Sequence, residues 1–194
     1  MASPMLALPS AEATQPRQLV RTGVFLFITS ATMLFGGLFA AYLHLRRNVV
    51  PWPAEGSAID EYLVNMMAGT MILSILPIEW ACWALRKNLV RQAMSGLGIT
   101  IGLGVAFLNL GSYTAGQAAF DAASGPYGLV VTALFMLMSL CVAVGLGMLT
   151  LTLVRATGRQ QGPADTEQAR VAACWWHFTV GASLFVWYAI TVLK

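Results

Sequence analysis

Two histidines, three cysteines and one acid inside a long apolar run hold most of this chain's capacity for chemistry. The histidines, His44 and His177, would need similar depth to ligate one haem iron. Placed on their expected helices, they differ in depth by roughly 25 Å. A copper or di-iron site needs several imidazole or carboxylate ligands, and the apolar runs contain a single acid, Glu79. Cys82, Cys141 and Cys174 form no CxxC pair and no disulfide framework. They read as small buried hydrophobes. No phosphate-cradling glycine loop, nucleophile elbow or zincin motif occurs. Catalysis by this chain alone is therefore not expected, and no metal or cofactor site is assigned to it.

Glu79 is the informative residue. An acid within hydrocarbon is expensive and marks a function or a buried partnership. It stands seven residues before Arg86, roughly 10 Å from that end of its helix, a depth that His177 shares. The expectation is a hydrogen bond or ion pair between Glu79 and His177. Pro77 should free a backbone carbonyl and bend the helix nearby. His44 reads as a polar residue at the opposite interface. Thr29, Ser30, Thr32 and Asn109 are expected to bond local backbone or a neighbouring helix. Met136 and Met138 read as apolar filler.

The elements that must position these residues follow from composition. Of 194 residues, 58% are hydrophobic and 10% charged, against roughly a quarter charged in soluble domains. Mean hydropathy is +0.71. Soluble and disordered classes are excluded, and the chain reads as an all-α membrane protein. Five stretches are long enough to cross, at about 22–45, 62–85, 93–115, 127–154 and 171–192. Residues 21–194 are expected to form one five-helix transmembrane domain, preceded by a mobile tail over 1–20 that lacks the basic start of a secretory signal. Arg46–Glu61, with Pro51, Trp52 and Pro53, reads as an interfacial turn. Arg155–Arg170 reads as a solvated loop.

Charge sets the orientation. Arg17, Arg21, Arg86, Lys87, Arg91, Arg155, Arg159 and Arg170 fall on one side, and Arg46, Arg47 and Lys194 on the other. The positive-inside rule puts the N-terminus in the cytoplasm and the C-terminus in the periplasm. These bases mark membrane boundaries, so nucleic-acid binding has no support. Arg86, Lys87 and Arg155 are candidates for lipid head groups. Small residues at four-residue spacing, namely Gly36, Gly37, Ala40, Ala41, Gly98, Gly102, Ala143 and Gly147, with Gly96 and Gly104 close by on the third helix, are expected to pack within the bundle, with docking on another membrane subunit as the sharper alternative.

These residues carry a family resemblance. Phe25 to Tyr42, FLFITSATMLFGGLFAAY, resembles the first shared helix of cytochrome c oxidase subunit III. Trp80–Arg86, Tyr127-Gly128 and Trp175-Trp176-His177-Phe178 are similar to that family's later motifs. Their order and spacing match over nearly all of 20–194, in the manner of the short five-helix bacterial form. Three positions depart from it. Ala31 stands where the family has a glutamate, Val180 replaces an aspartate, and Met136–Cys141 replaces a Gly-x-His-Gly-x-His run. By residue count Glu79 lies at Ala31's depth. It is expected to supply the missing carboxylate from the neighbouring helix, which requires it to face the bundle interior.

The resemblance implies a subunit without a redox centre of its own, in the bacterial inner membrane. Haem and copper would reside in catalytic subunit I, which this chain would flank together with other respiratory subunits and phospholipids. It would thus belong to a cytochrome c or quinol oxidase without being catalytic itself. A partner of a nitric oxide reductase or other respiratory complex, and a stand-alone small carrier, are the alternatives.

Overall fold

The computed structural model describes residues 15–50, 52, 60–116, 125–158 and 163–193. Among these the chain is helical, without strands: α1 (Gln15–Asn48), α2 (Glu61–Leu73), α3 (Ile75–Arg86), α4 (Val90–Gly116), α5 (Pro126–Thr157) and α6 (Pro163–Thr191).

Local chemistry explains the boundaries. Pro16 sits in the first turn of α1, where its missing N–H costs nothing, so the helix starts inside the expected tail. Residues 1–14 of that tail lie outside the described residues. The Asp60 carboxylate caps α2 by accepting the Tyr62 N–H at 2.9 Å. The helix breaks at Ser74 because Pro77 offers no N–H and its ring crowds the Leu73 carbonyl. The break leaves its groups satisfied: the Ser74 N–H reaches the Thr70 and Met71 carbonyls, and its Oγ donates to Met71 O at 2.6 Å. Asn88, with φ 56°, turns the chain from α3 into α4. Gly125 adopts φ 120° before Pro126 opens α5, a conformation that a side chain would strain.

Arg155–Arg170 is a correction. Only the stretch between Thr157 and Pro163 separates the two helices, so Pro163–Arg170 is the first part of α6. A proline at the first position followed by Asp165 and Glu167 is a helix start, and the loop reading gave too much weight to polarity.

Among the described residues, four spans are long and apolar enough to cross a membrane: Leu19–Asn48, Glu61–Arg86, Val90–Gly116 and Pro126–Thr157. With 29 residues, α6 is equally long, but Trp175, Trp176, His177, Thr179, Ser183 and Trp187 lower its hydropathy. It can carry them because it is the inner helix. It packs against α1, α2, α3 and α5, while α4 lies against α2, α3 and α5. By contrast, only 6% of the apolar window of α1 is buried. Ala31, Phe35 and Tyr42, one stripe at helical spacing, carry its inward face.

The small residues divide in a way that spacing alone did not predict. A Cβ added at Gly36, Gly37, Gly98, Gly102 or Gly147 would meet nothing within 4 Å. Ala40, Ala41 and Ala143 are exposed beside them. Internal packing is therefore overturned at these positions and holds at Gly96 and Gly104 of α4. The glycines that admit close approach are Gly96, whose Cβ would lie 2.8 Å from Pro77 O and 2.9 Å from Ala81 Cβ, together with Gly104 and Gly145.

Candidate functional site

The centre of the bundle is an indole slot. Trp176 is fully buried. Its ring lies over two glycines on different helices: a Cβ at Gly104 of α4 would be 2.7 Å from Cη2, and one at Gly145 of α5 would be 2.9 Å from Cε3. Its Nε1–H donates to Ser74 Oγ at 2.8 Å, at the break between α2 and α3. One side chain of α6 thus ties together every helix except α1. An indole N–H in a bundle interior must find an acceptor. Ser74 is available because the Pro77 bend leaves its side chain facing inward.

The other tryptophans of α6 follow the same rule. Trp175 donates to the Cys141 carbonyl of α5 at 3.0 Å and stacks on Phe27 of α1, with ring centroids 4.8 Å apart. Trp187 donates to Asn65 Oδ1 of α2 at 2.6 Å. Phe178 meets Phe35 edge-on at 6.4 Å. Tyr42, fully buried, donates to the Leu193 carbonyl at 3.4 Å. Trp52 rests between Tyr42 and Tyr127, with centroids at 5.3 and 5.0 Å, while Pro51 and residues 53–59 of the expected turn lie outside the described residues.

Glu79 and His177 are brought together. Nε2 of His177 lies 2.6 Å from Oε1 of Glu79, an N–H donor facing a carboxylate acceptor. The pair sits on the outer surface of the bundle, with side chains 55% exposed for Glu79 and 38% for His177. The interior position expected of Glu79 is therefore wrong. Ile78, Ala81 and Cys82 take the inward positions of α3, and α1, which carries the buried Ala31, packs on α5 and α6. Glu79 partners His177 without replacing a carboxylate at Ala31.

Arg86 and Lys87 are exposed at the end of α3. Arg155 is exposed and donates to Gln168 Oε1, bridging α5 to α6. Asn48 donates to the His44 carbonyl at 2.8 Å at the far end of α1. Thr29 and Thr32 donate to the Phe25 and Ile28 carbonyls of their own helix. Asn109 is exposed on the same face of α4 as Gly98 and Gly102. Met138 is buried and Met136 exposed. Among the described residues no group of three or more His, Cys, Asp or Glu side chains could hold a metal ion.

Gly104 was named only among the small residues of its helix, and Ser74, Asn65 and Gly145 were not singled out from sequence. A signal existed for Ser74 and Asn65: three tryptophans in one apolar helix need acceptors, and few polar side chains are available. No comparable signal marks Gly145.

Fold and site together define a class, an all-helical membrane bundle locked by indole hydrogen bonds around one tryptophan. Comparison with known proteins supplies the particular family. The chain belongs to the cytochrome c oxidase subunit III family, whose profile matches residues 10–193. Cytochrome c oxidase subunit 3 of Formosania lacustris is 30% identical over 178 residues, covering 88% of this chain and 68% of that protein. The Danio rerio protein of the same name is 30% identical over 179 residues, with the same coverage. That of Thermostichus vulcanus is 35% identical over 86 residues, or 44% of this chain.

Proposed function

We propose that this chain is a non-catalytic accessory subunit of a haem–copper terminal oxidase, seated beside catalytic subunit I in a bacterial plasma membrane and serving aerobic electron transport. Haem and copper belong to that partner. The chain crosses five times, with α6 as the fifth crossing, the N-terminus in the cytoplasm and the C-terminus in the periplasm. Its contribution is shape: it stabilises the catalytic subunit and holds phospholipid, with Arg86, Lys87 and Arg155 at the inner head-group level.

The observation that carries this reading is the outward direction of the small-residue stripes. Membrane helices associate through close backbone approach and polar contacts. Gly36, Gly37, Gly98 and Gly102 leave that approach open, and Asn109 adds an amide on the Gly98–Gly102 face. Bulky residues suit lipid contact; small ones facing outward suit a neighbouring helix.

Purification in mild detergent, followed by an absorption spectrum and peptide identification, tests the assignment. The expected result is haem absorbance with a large polytopic subunit in the same particle. A nitric oxide reductase subunit in its place would move the chain to a different respiratory complex. A haem-free homo-oligomer would refute the accessory role in favour of a stand-alone carrier.

A further inference from the structure

The Glu79–His177 pair faces outward from the bundle, roughly 10 Å from the end of α3 that Arg86 marks. A carboxylate accepts at both oxygens, about four sites in all, and His177 fills one of them. Among the described residues Glu79 makes no second hydrogen bond or ion pair. Arg86, the nearest base on its own helix, stands two turns away. An acid left half-used on a surface that crosses hydrocarbon calls for a partner.

What lies beside the pair is small. Gly181 follows His177 by one turn on the exposed side of α6, and a Cβ there would meet nothing within 4 Å. One turn further, Phe185 is exposed, and its ring centroid lies 4.4 Å from that of Phe39 on α1. Phe39 sits inside the run Gly36–Ala41, whose small residues are assigned above to a neighbouring subunit. His177, Gly181 and Phe185 therefore continue that stripe from α1 across α6 to the carboxylate on α3.

We propose that a transmembrane helix of the partner subunit packs along this track, close against Gly181, and lays an arginine or lysine side chain on the free oxygen of Glu79. Charge complementarity selects a cation, and an anionic lipid head group would be repelled. Depth agrees with it. Glu79 lies within a few turns of the inner boundary, where membrane helices carry their bases, and the long stems of those side chains let the charge stand well away from its own backbone. Gly181 supplies the close backbone approach that membrane helices use, and the carboxylate supplies the polar contact that fixes which helix fits. The proposal rests on the accessory-subunit reading given above and adds the residues that recognise the partner.

The test is retention of the partner subunit when the intact complex is affinity-purified through this chain in mild detergent. Glu79→Gln should lower retention about threefold, the size of one hydrogen bond between membrane helices. Glu79→Lys should lower it about tenfold, because like charges then face each other. Gly181→Leu touches nothing within this chain, so it should lower retention on the order of tenfold while leaving the melting temperature unchanged, a loss that misfolding does not produce. A photoreactive side chain at position 181 should capture the partner. Full retention in both Glu79→Lys and Gly181→Leu overturns this face and leaves the accessory role standing, whereas a wild-type chain that retains no partner overturns both. Capture at position 181 of lipid alone, or of a second copy of this chain, overturns the proposed occupant.

Discussion

Replacing Gly104 by alanine places a methyl carbon 2.7 Å from Cη2 of Trp176 and 2.8 Å from Cδ2 of Leu146. Leu146 is half-buried and can change rotamer. Trp176 cannot retreat. Its other edge lies against Gly145, where even a modest shift brings the indole onto backbone, and its Nε1–H is held by Ser74. Overpacking of this kind costs about 1–3 kcal/mol. Gly102 is two residues away on the same helix and has open space around it. There alanine relieves the helix of a glycine and contributes about 0.5–1 kcal/mol. The two substitutions are chemically identical, so lipid, detergent and propensity effects largely cancel between them. The difference to measure is about 1.5–4 kcal/mol, and at roughly 2–4 °C per kcal/mol for a domain of this size the midpoints should separate by at least about 3 °C. Thermal denaturation in detergent, followed by tryptophan fluorescence, reads it directly. A Gly104→Ala protein as stable as Gly102→Ala would refute the indole slot.

Glu79→Gln and His177→Ala, made singly and together, should lose stability non-additively, with a coupling of about 0.5–1.5 kcal/mol; strictly additive losses would dissolve the pair. Ser74→Ala strands the Trp176 N–H and should cost about 1–3 kcal/mol, and in a Trp176→Phe background its cost should shrink, as chemical or thermal denaturation will show. Gly102→Leu together with Asn109→Leu should weaken capture of the partner subunits on the order of tenfold while leaving the melting temperature of the isolated chain within a degree or two; unaltered subunit composition after affinity purification would remove α4 from the interface.

How much of this was legible in the sequence depends on which rule each residue obeys. The helical course of the apolar stretches followed from hydropathy, although α1 and α6 run past the expected bounds, and the bend followed from Pro77, because a missing N–H acts locally. The partnership of Glu79 with His177 was readable because an acid and an imidazole in apolar helices at equal depth have few other partners. The side of the bundle on which they meet was not readable, since helical rotation is fixed by tertiary packing of α3 on α4 and α6. The spacings of Gly98 with Gly102 and of Gly36 with Ala40 misled for the same reason. Four-residue spacing marks a face able to approach another helix, and says nothing of whether that helix belongs to this chain. The lowered hydropathy of α6 also reads differently once its neighbours are known. A helix surrounded on most sides by protein has no need to be uniformly apolar.

The faces of α1 and α5 differ in the same respect. On α1 the exposed apolar side chains of the first half are mostly bulky, with Leu19, Val20, Leu26, Met33 and Leu34. The run then changes abruptly to Gly36, Gly37, Ala40 and Ala41. On α5 the exposed stripe is bulky at Leu129, Met136, Leu140, Leu151 and Val154, with Ala143 and Gly147 the small residues between Leu140 and Leu151. Lipid chains gain dispersion contact from bulky side chains and gain little from a bare backbone. If the proposed docking runs through small residues, α5 should face lipid along most of its length, and the second half of α1 and the Gly98–Asn109 face of α4 should face protein. Site-directed cross-linking separates these faces. A photoreactive side chain at Ala40 or Ala106 should capture a neighbouring subunit, and one at Met136 or Leu140 should capture only lipid. The reverse pattern would show that size does not choose the face.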